Sequence, residues 1–289
     1  MNYRVSETML DDFEQYLKDK ERSDNTIAKY LRDIRVFIQF FGEDCMTQEL
    51  LVHYKEHLIQ KKYKPASINS MLAALNQFFD WCEWNFHVKA LKIQHQLFRD
   101  ESQELSKEEY YRLLNAAKKR SERLWLLIQT IGSTGIRVSE LQYITVEAAK
   151  RGRTDILCKG KTRTILLPSA LRRELLRYAK RQSIKSGSIF LTRTGKPMNR
   201  SNIWRALKSL CEEAGVLASK VFPHNLRHMF ATAFYNAARD IARLAEVLGH
   251  SSINTTRIYI STSGQFHSRI IEGLGLVQSS DGRKRSHNI

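Results

Sequence analysis

Cysteine is scarce in this chain, and the four present are scattered. Cys45, Cys82, Cys158 and Cys211 form no C-x-x-C pair and stand beside no histidines at metal spacing. That pattern excludes a disulfide-framed secreted domain and a cysteine-built zinc site, so the four are expected to be reduced thiols. Long apolar runs are lacking too. No stretch approaches the roughly 18 residues of a membrane span, and the residues from Met1 to Glu7 hold no signal-peptide core. A membrane is not an expected partner, and a cytoplasmic location is. Clustered carboxylates of the kind that hold Mg²⁺ are missing, which counts against a two-metal nuclease. There is no internal repeat and no low-complexity tract. With 42% hydrophobic and 27% charged residues the composition is that of a folded protein.

Acidic residues are short in one part of the chain only. The net charge is +17, yet residues 1–100 carry 14 Lys and Arg against 15 Asp and Glu, while residues 101–289 carry 33 against 15. A segment this basic attracts polyanions by counterion release, and nucleic acid is the usual one. Charge alone would also fit RNA or an acidic membrane surface.

At 289 residues the chain has room for two modest domains. Met9, Leu10, Phe13, Tyr16 and Leu17 fall at helical spacing, and Ser23-Asp24-Asn25 is expected to cap a second helix with Ile27, Tyr30, Leu31, Ile34, Phe37 and Ile38. A third helix is expected from about Thr47 to Lys61, and a fourth after Lys64-Pro65. Four helices on short connections make a bundle. The aromatics Phe78, Phe79, Trp81, Trp84 and Phe86 read as its core. The basic run Lys61-Lys62-Tyr63-Lys64 fits a phosphate contact or a solvated loop equally well. The apolar rhythm stops near His95 to Glu104, so a linker is expected over 95–104, between a domain at 1–94 and another at 105–278. Ser106-Lys107-Glu108-Glu109 is a capping box opening the next helix, and Leu124 to Thr130 forms another. Thr154 to Leu167 reads as a hairpin turning at Lys159-Gly160-Lys161-Thr162, with a short strand near Ile189-Phe190-Leu191. The fold class is mainly α with a small β-sheet (α+β), and 279–289 is expected to be a disordered tail.

Six residues then carry the chemistry: Arg137, Lys159, His224, Arg227, His250 and Tyr259. A phosphodiester under attack gathers negative charge on its non-bridging oxygens, and guanidinium groups suit it because they are planar, always charged and bidentate. His224 and Arg227, three apart on a helix opened by Pro223, can reach one phosphate together. Tyr259 is the candidate nucleophile. A phenol of pKa about 10 needs help in losing its proton, and His250 and His224 are both available. Lys159 at a hairpin tip is placed to protonate a departing 5′ oxygen. Taken singly, each residue has an ordinary structural role; the conjunction carries the reading.

The stretches holding these residues resemble the tyrosine recombinases of the phage-integrase family, which includes the Xer recombinases. Thr134-Gly135-Ile136-Arg137-Val138-Ser139-Glu140-Leu141 resembles the first arginine box, His224-Asn225-Leu226-Arg227-His228 the H-x-x-R box, and Leu248 to Tyr259 the final box. Cys158-Lys159-Gly160-Lys161 resembles the hairpin-lysine motif, one residue shorter than its common form. Lys161 is therefore a rival to Lys159, which is preferred. The histidine often found two residues after the tyrosine is replaced by Ser261.

The resemblance implies a helical, SAM-like core-binding domain followed by a catalytic domain, closing as a C-shaped clamp on duplex DNA that contains inverted-repeat core sites. It implies a 3′-phosphotyrosyl intermediate, strand exchange through a Holliday junction, and no cofactor, neither metal nor ATP. It further implies a homotetramer on two DNA sites, or a heterotetramer with a related recombinase, and leaves room for an accessory DNA-bending or directionality factor. Glu140 is implied as a support for the arginines, and residues 265–274 as a helix docking on a neighbouring protomer. Little sequence precedes the first helix, so no arm-binding domain is expected. Two alternatives share these residues: a non-catalytic DNA-binding relative, and relaxation of the type IB topoisomerase kind.

Overall fold

The computed structural model describes residues 5–42, 46–93, 103–158, 161–250, 252–257 and 273–274, with the backbone alone at 158, 161 and 257. The expected linker core, residues 95–102, lies outside the described residues, as do Lys159, Tyr259, nearly all of 265–274 and the tail 279–289. The chain divides into two compact units, Met1–His95 and Gln96–Ile289.

The first unit is four helices: α1 (Glu7–Asp19), α2 (Asp24–Phe41), α3 (Gln48–Gln60) and α4 (Pro65–Trp81). Ser6 and Thr47 cap α1 and α3 through their hydroxyls, while Pro65 opens α4 with φ already suited to a helix. Ser23 precedes α2 as expected, but its hydroxyl pairs with Thr26 Oγ1 at 2.9 Å instead of capping the backbone. Each helix turns its apolar stripe inward, burying Leu10, Phe13, Ile34, Phe37, Leu51, Tyr54, Phe78 and Phe79. The aromatic cluster is core: Phe78 meets Phe13 edge-on at 5.2 Å, and Trp84 stacks on Phe79 at 6.1 Å. Two α4 amides hold the segment that follows. Asn76 exchanges two hydrogen bonds with the Val88 backbone, both at 3.0 Å, and Asn69 does the same with Leu91 at 2.9 and 2.7 Å.

The second unit is built around α6 (Glu122–Thr134), in which Leu126, Leu127, Ile128, Thr130 and Ile131 are fully buried. Around it run α5 (Lys107–Arg120), α7 (Val146–Arg151), α8 (Ser169–Arg181), α9 (Arg200–Lys208), α10 (Cys211–Ala214), α11 (Pro223–Ala238), α12 (Ile241–Leu248) and α13 (Ile253–Arg257). Ser106 and Glu109 form both halves of the capping box on α5. Helix α6 runs longer than its apolar pattern suggests, because Ser121 caps its start and Gly135, at φ 61°, ends it. Val138–Tyr143 is a separate 3₁₀ turn reached through extended backbone at Arg137.

Strands β1 (Arg153–Cys158) and β2 (Lys161–Leu166) pair antiparallel, with Cys158 opposite Lys161, so Lys161 and Thr162, expected in the turn, belong to β2. The expected strand at Ile189–Leu191 is not a strand. It is two isolated bridges, Thr145 to Ser188 and Leu191 to Pro197. Its β-like signal comes from Ile189 and Phe190 both being buried, while the chain turns back within five residues, as the Thr192 N–H bond to Lys196 shows.

Truncating Phe79 should show how far the first unit's core depends on this cluster. Phe79→Ala is expected to cost that unit about 3–5 kcal/mol. Peptide-resolved hydrogen exchange on the full chain should place the lost protection within residues 5–93, and equal loss across 103–250 would contradict the division.

Candidate active site

Helix α12 ends in a Schellman turn. Gly249 takes φ 64°, its N–H bonds Glu246 O at 2.9 Å, and His250 N–H bonds Ala245 O at 2.9 Å. The last carbonyls of a helix have no intrahelical partner and carry the negative end of its dipole. Here Val247 and Leu248, which end α12, and Gly249 just beyond it each present a carbonyl to a different arginine. Arg163 Nε donates to Val247 O at 3.1 Å, Arg227 Nη2 to Leu248 O at 2.8 Å, and Arg137 Nη2 to Gly249 O at 3.1 Å. The same turn therefore gathers three guanidinium groups and delivers His250 among them.

One buried carboxylate offsets part of that charge. Glu140 is 5% exposed, and it accepts from Arg137 N–H and Arg137 Nη1 at 2.9 Å each and from Arg163 Nη1 at 2.9 Å. Arg227 is 2% exposed and also donates through Nη1 to Gly135 O, at the left-handed end of α6. Neither glycine could carry a side chain. A Cβ on Gly135 would strike the Phe230 ring, and one on Gly249 would strike the Arg163 stem.

Arg137, His224 and Arg227 line a cleft of about 400 Å³ together with Arg200, Trp204, Phe222 and Pro223. His224 is exposed in the first turn of α11, which begins at Pro223. The amino end of that helix adds its own preference for an anion. Arg137 spends two guanidinium bonds on Glu140 and Gly249, which leaves its other donors for the cleft.

His250 Nε2 lies 3.0 Å from Arg227 Nη2, and Nδ1 lies 2.9 Å from Thr256 Oγ1. Burial, then the charges of Arg227, Arg137 and Arg163, push its pKa down to about 4. The imidazole is therefore neutral at neutral pH. Burial and the neighbouring arginines also lower Arg163, to about 10, against the pull of Glu140; it stays charged.

Among the residues expected from the sequence, the fold brings together Arg137, Glu140, His224, Arg227 and His250. Lys159 and Tyr259 lie outside the described residues, and Lys161 is described by its backbone alone. Two members were not anticipated, Arg163 and Thr256. Arg163 was visible in principle: in the alternating β2 it occupies an inward position opposite Ile156, where an arginine needs a buried partner. Thr256, fully buried, carries no such sign within Thr255-Thr256.

A preorganised cluster of guanidinium and imidazole groups on a basic unit suits a phosphodiester transition state. The comparisons agree. Residues 103–265 match the model of the phage integrase family, and residues 10–85 match that of the phage integrase N-terminal SAM-like domain. The tyrosine recombinase XerA of Pyrococcus furiosus is 29% identical over 281 residues, spanning 95% of this chain and 96% of that protein. The tyrosine recombinase XerC of Herpetosiphon aurantiacus is 30% identical over 287 residues, 88% of this chain and 90% of that protein. In fold, the chain is similar to a lambda integrase tetramer bound to a Holliday junction (TM-score 0.71, 17% identity, 88% and 76% coverage). It is also similar to XerH bound to its difH substrate (TM-score 0.65, 22% identity, 87% and 79% coverage). The chain is an enzyme of the tyrosine-recombinase type. The chain belongs to the phage integrase family.

Two outcomes follow from this geometry. Glu140→Gln leaves two guanidinium groups without their buried counter-charge and should destabilise the second unit by about 3–5 kcal/mol in urea unfolding; a loss well under 1 kcal/mol would contradict the bracing. His250 should titrate near pH 4 in an NMR pH series. Because its folded value lies below the ordinary 6.5, the stability tied to its neutrality is present above about pH 6.5 and declines as the pH falls through about 4. A midpoint near 6.5 would contradict the burial and charge described.

Proposed function

We propose that this chain is a site-specific DNA recombinase that cuts and rejoins duplex DNA by transesterification. The observation that carries the reading is the convergence of Arg137, Arg227 and His250 on the end of α12, beside the cleft that His224 also lines. Arg137, Arg227 and His224 hold the scissile phosphate and neutralise the charge that develops on it. Tyr259 follows Thr256 by three residues in the chain, and it is the nucleophile.

In the cutting step the Tyr259 oxygen forms a bond to phosphorus, and the bond from phosphorus to the 5′ oxygen breaks. The phenol proton passes to an imidazole, for which His224 and His250 are the candidates, and Lys159, which follows Cys158 in the chain, protonates the departing oxygen. The product is a 3′-phosphotyrosyl ester and a free 5′ hydroxyl. Attack by the 5′ hydroxyl of a partner strand reverses each transfer, so the phosphoester bond is conserved and no cofactor is required. Glu140 holds Arg137 in place.

The substrate is duplex DNA with inverted-repeat core sites, and the acting species is a tetramer on two sites, of this chain alone or with a related recombinase. The lambda integrase tetramer on a Holliday junction and the XerH complex with difH support this. The family matches at 10–85 and 103–265 support a division into a core-binding domain, 1–94, a linker, 95–104, and a catalytic domain, 105–278. No described helix is long and apolar enough to cross a membrane. We place the protein in the cytoplasm, on the nucleoid when bound.

A nicked suicide duplex carrying the site, incubated with the full chain, should give a covalent protein–DNA adduct on a denaturing gel, in the presence of EDTA as well. Tyr259→Phe should give none. An adduct that survives that substitution would overturn the assignment of the nucleophile.

A further inference from the structure

We infer that Thr256 is a positioning residue that fixes the tautomer of His250, keeping the ring proton on Nδ1 and the lone pair of Nε2 toward Arg227. The inference rests on the recombinase reading only for its link to catalysis; the tautomer itself follows from hydrogen-bond chemistry.

The direction of each bond is forced. A guanidinium group has five N–H donors and no acceptor. Arg227 Nη2, at 3.0 Å from His250 Nε2, can only donate, so Nε2 must present a lone pair. A neutral imidazole with a bare Nε2 carries its proton on Nδ1. That nitrogen faces Thr256 Oγ1 at 2.9 Å, so the threonine oxygen accepts. The reverse arrangement, with Thr256 donating to Nδ1, would put the ring proton on Nε2 against an arginine N–H. A doubly protonated ring would do the same, which agrees with the depressed pKa of His250.

Thr256 is 0% exposed, so water does not replace its oxygen if it is lost. It sits on α13, three residues ahead of Tyr259 in the chain, and so ties the histidine to the segment that leads to the nucleophile. Among the described residues, Arg227, Arg137, Arg163 and His224 are the charged or titratable groups acting on the ring, and none of these four is a carboxylate.

The test uses the full chain with ¹⁵N-labelled histidine. Long-range ¹H–¹⁵N correlations at neutral pH should show His250 protonated at Nδ1 in wild type and in Thr256→Ser, which keeps the oxygen. Thr256→Val keeps the volume and removes the acceptor, and should move the ring away from a pure Nδ1–H form. On the nicked duplex at saturating protein, Thr256→Val should slow adduct formation about tenfold, the size of one lost hydrogen bond in a buried site. Thr256→Ser should recover most of the rate, and the DNA dissociation constant should be unchanged in both.

A proton on Nε2 in wild type would overturn the inference even if Thr256→Val failed to fold. So would Thr256→Val with an unaltered tautomer and rate. The spectrum is read without DNA, so it stands apart from any failure of the recombinase reading, which would show instead as the lack of an adduct in wild type.

Discussion

The second unit depends on the carbonyl end of one short helix. Three arginines gathered at one helix end repel one another, and their burial alone would be costly. The end of α12 and the glycine that follows it supply three backbone carbonyls in a row, and Arg163, Arg227 and Arg137 take one each. Glu140 supplies a full negative charge. The cluster is thus stable enough to exist before any ligand arrives, yet keeps an excess of positive charge. In the proposed reaction an incoming phosphate would meet donors already oriented, leaving little reorganisation for the chemical step.

The same turn sets the protonation of His250. Because Gly249 adopts the left-handed conformation, the chain reverses at once and His250 is carried back among the arginines. Burial and their charges hold the imidazole neutral. Its two nitrogens are then distinguished by what each faces: an obligate donor on one side and a hydroxyl on the other. A histidine on an exposed helix end would titrate near neutrality and lose that distinction.

Much of the fold was legible from local pattern. The helices of the first unit follow from apolar residues at helical spacing and from Pro65, Ser6 and Thr47 at their starts. The hairpin was legible from alternation, although Lys161 and Thr162, expected in its turn, belong to β2. The supposed strand at Ile189–Leu191 failed because a run of buried apolar residues does not reveal whether an edge exists for them to pair with.

At the site, the sequence by itself determined the residue types and their order: a glycine before Arg137, a proline before His224, and a glycine before His250. Those neighbours set local backbone geometry, and the chemistry of each side chain is intrinsic. Only the tertiary structure decided that residues up to 112 positions apart share a single set of carbonyls, as Arg137 and Gly249 do. It also decided that Arg163 and Thr256 belong with them, and which nitrogen of His250 faces an arginine. Hydrogen-bond partners are chosen by proximity in space, and that information is spread over the packing of α6, α11, α12 and β2 rather than held in any one motif.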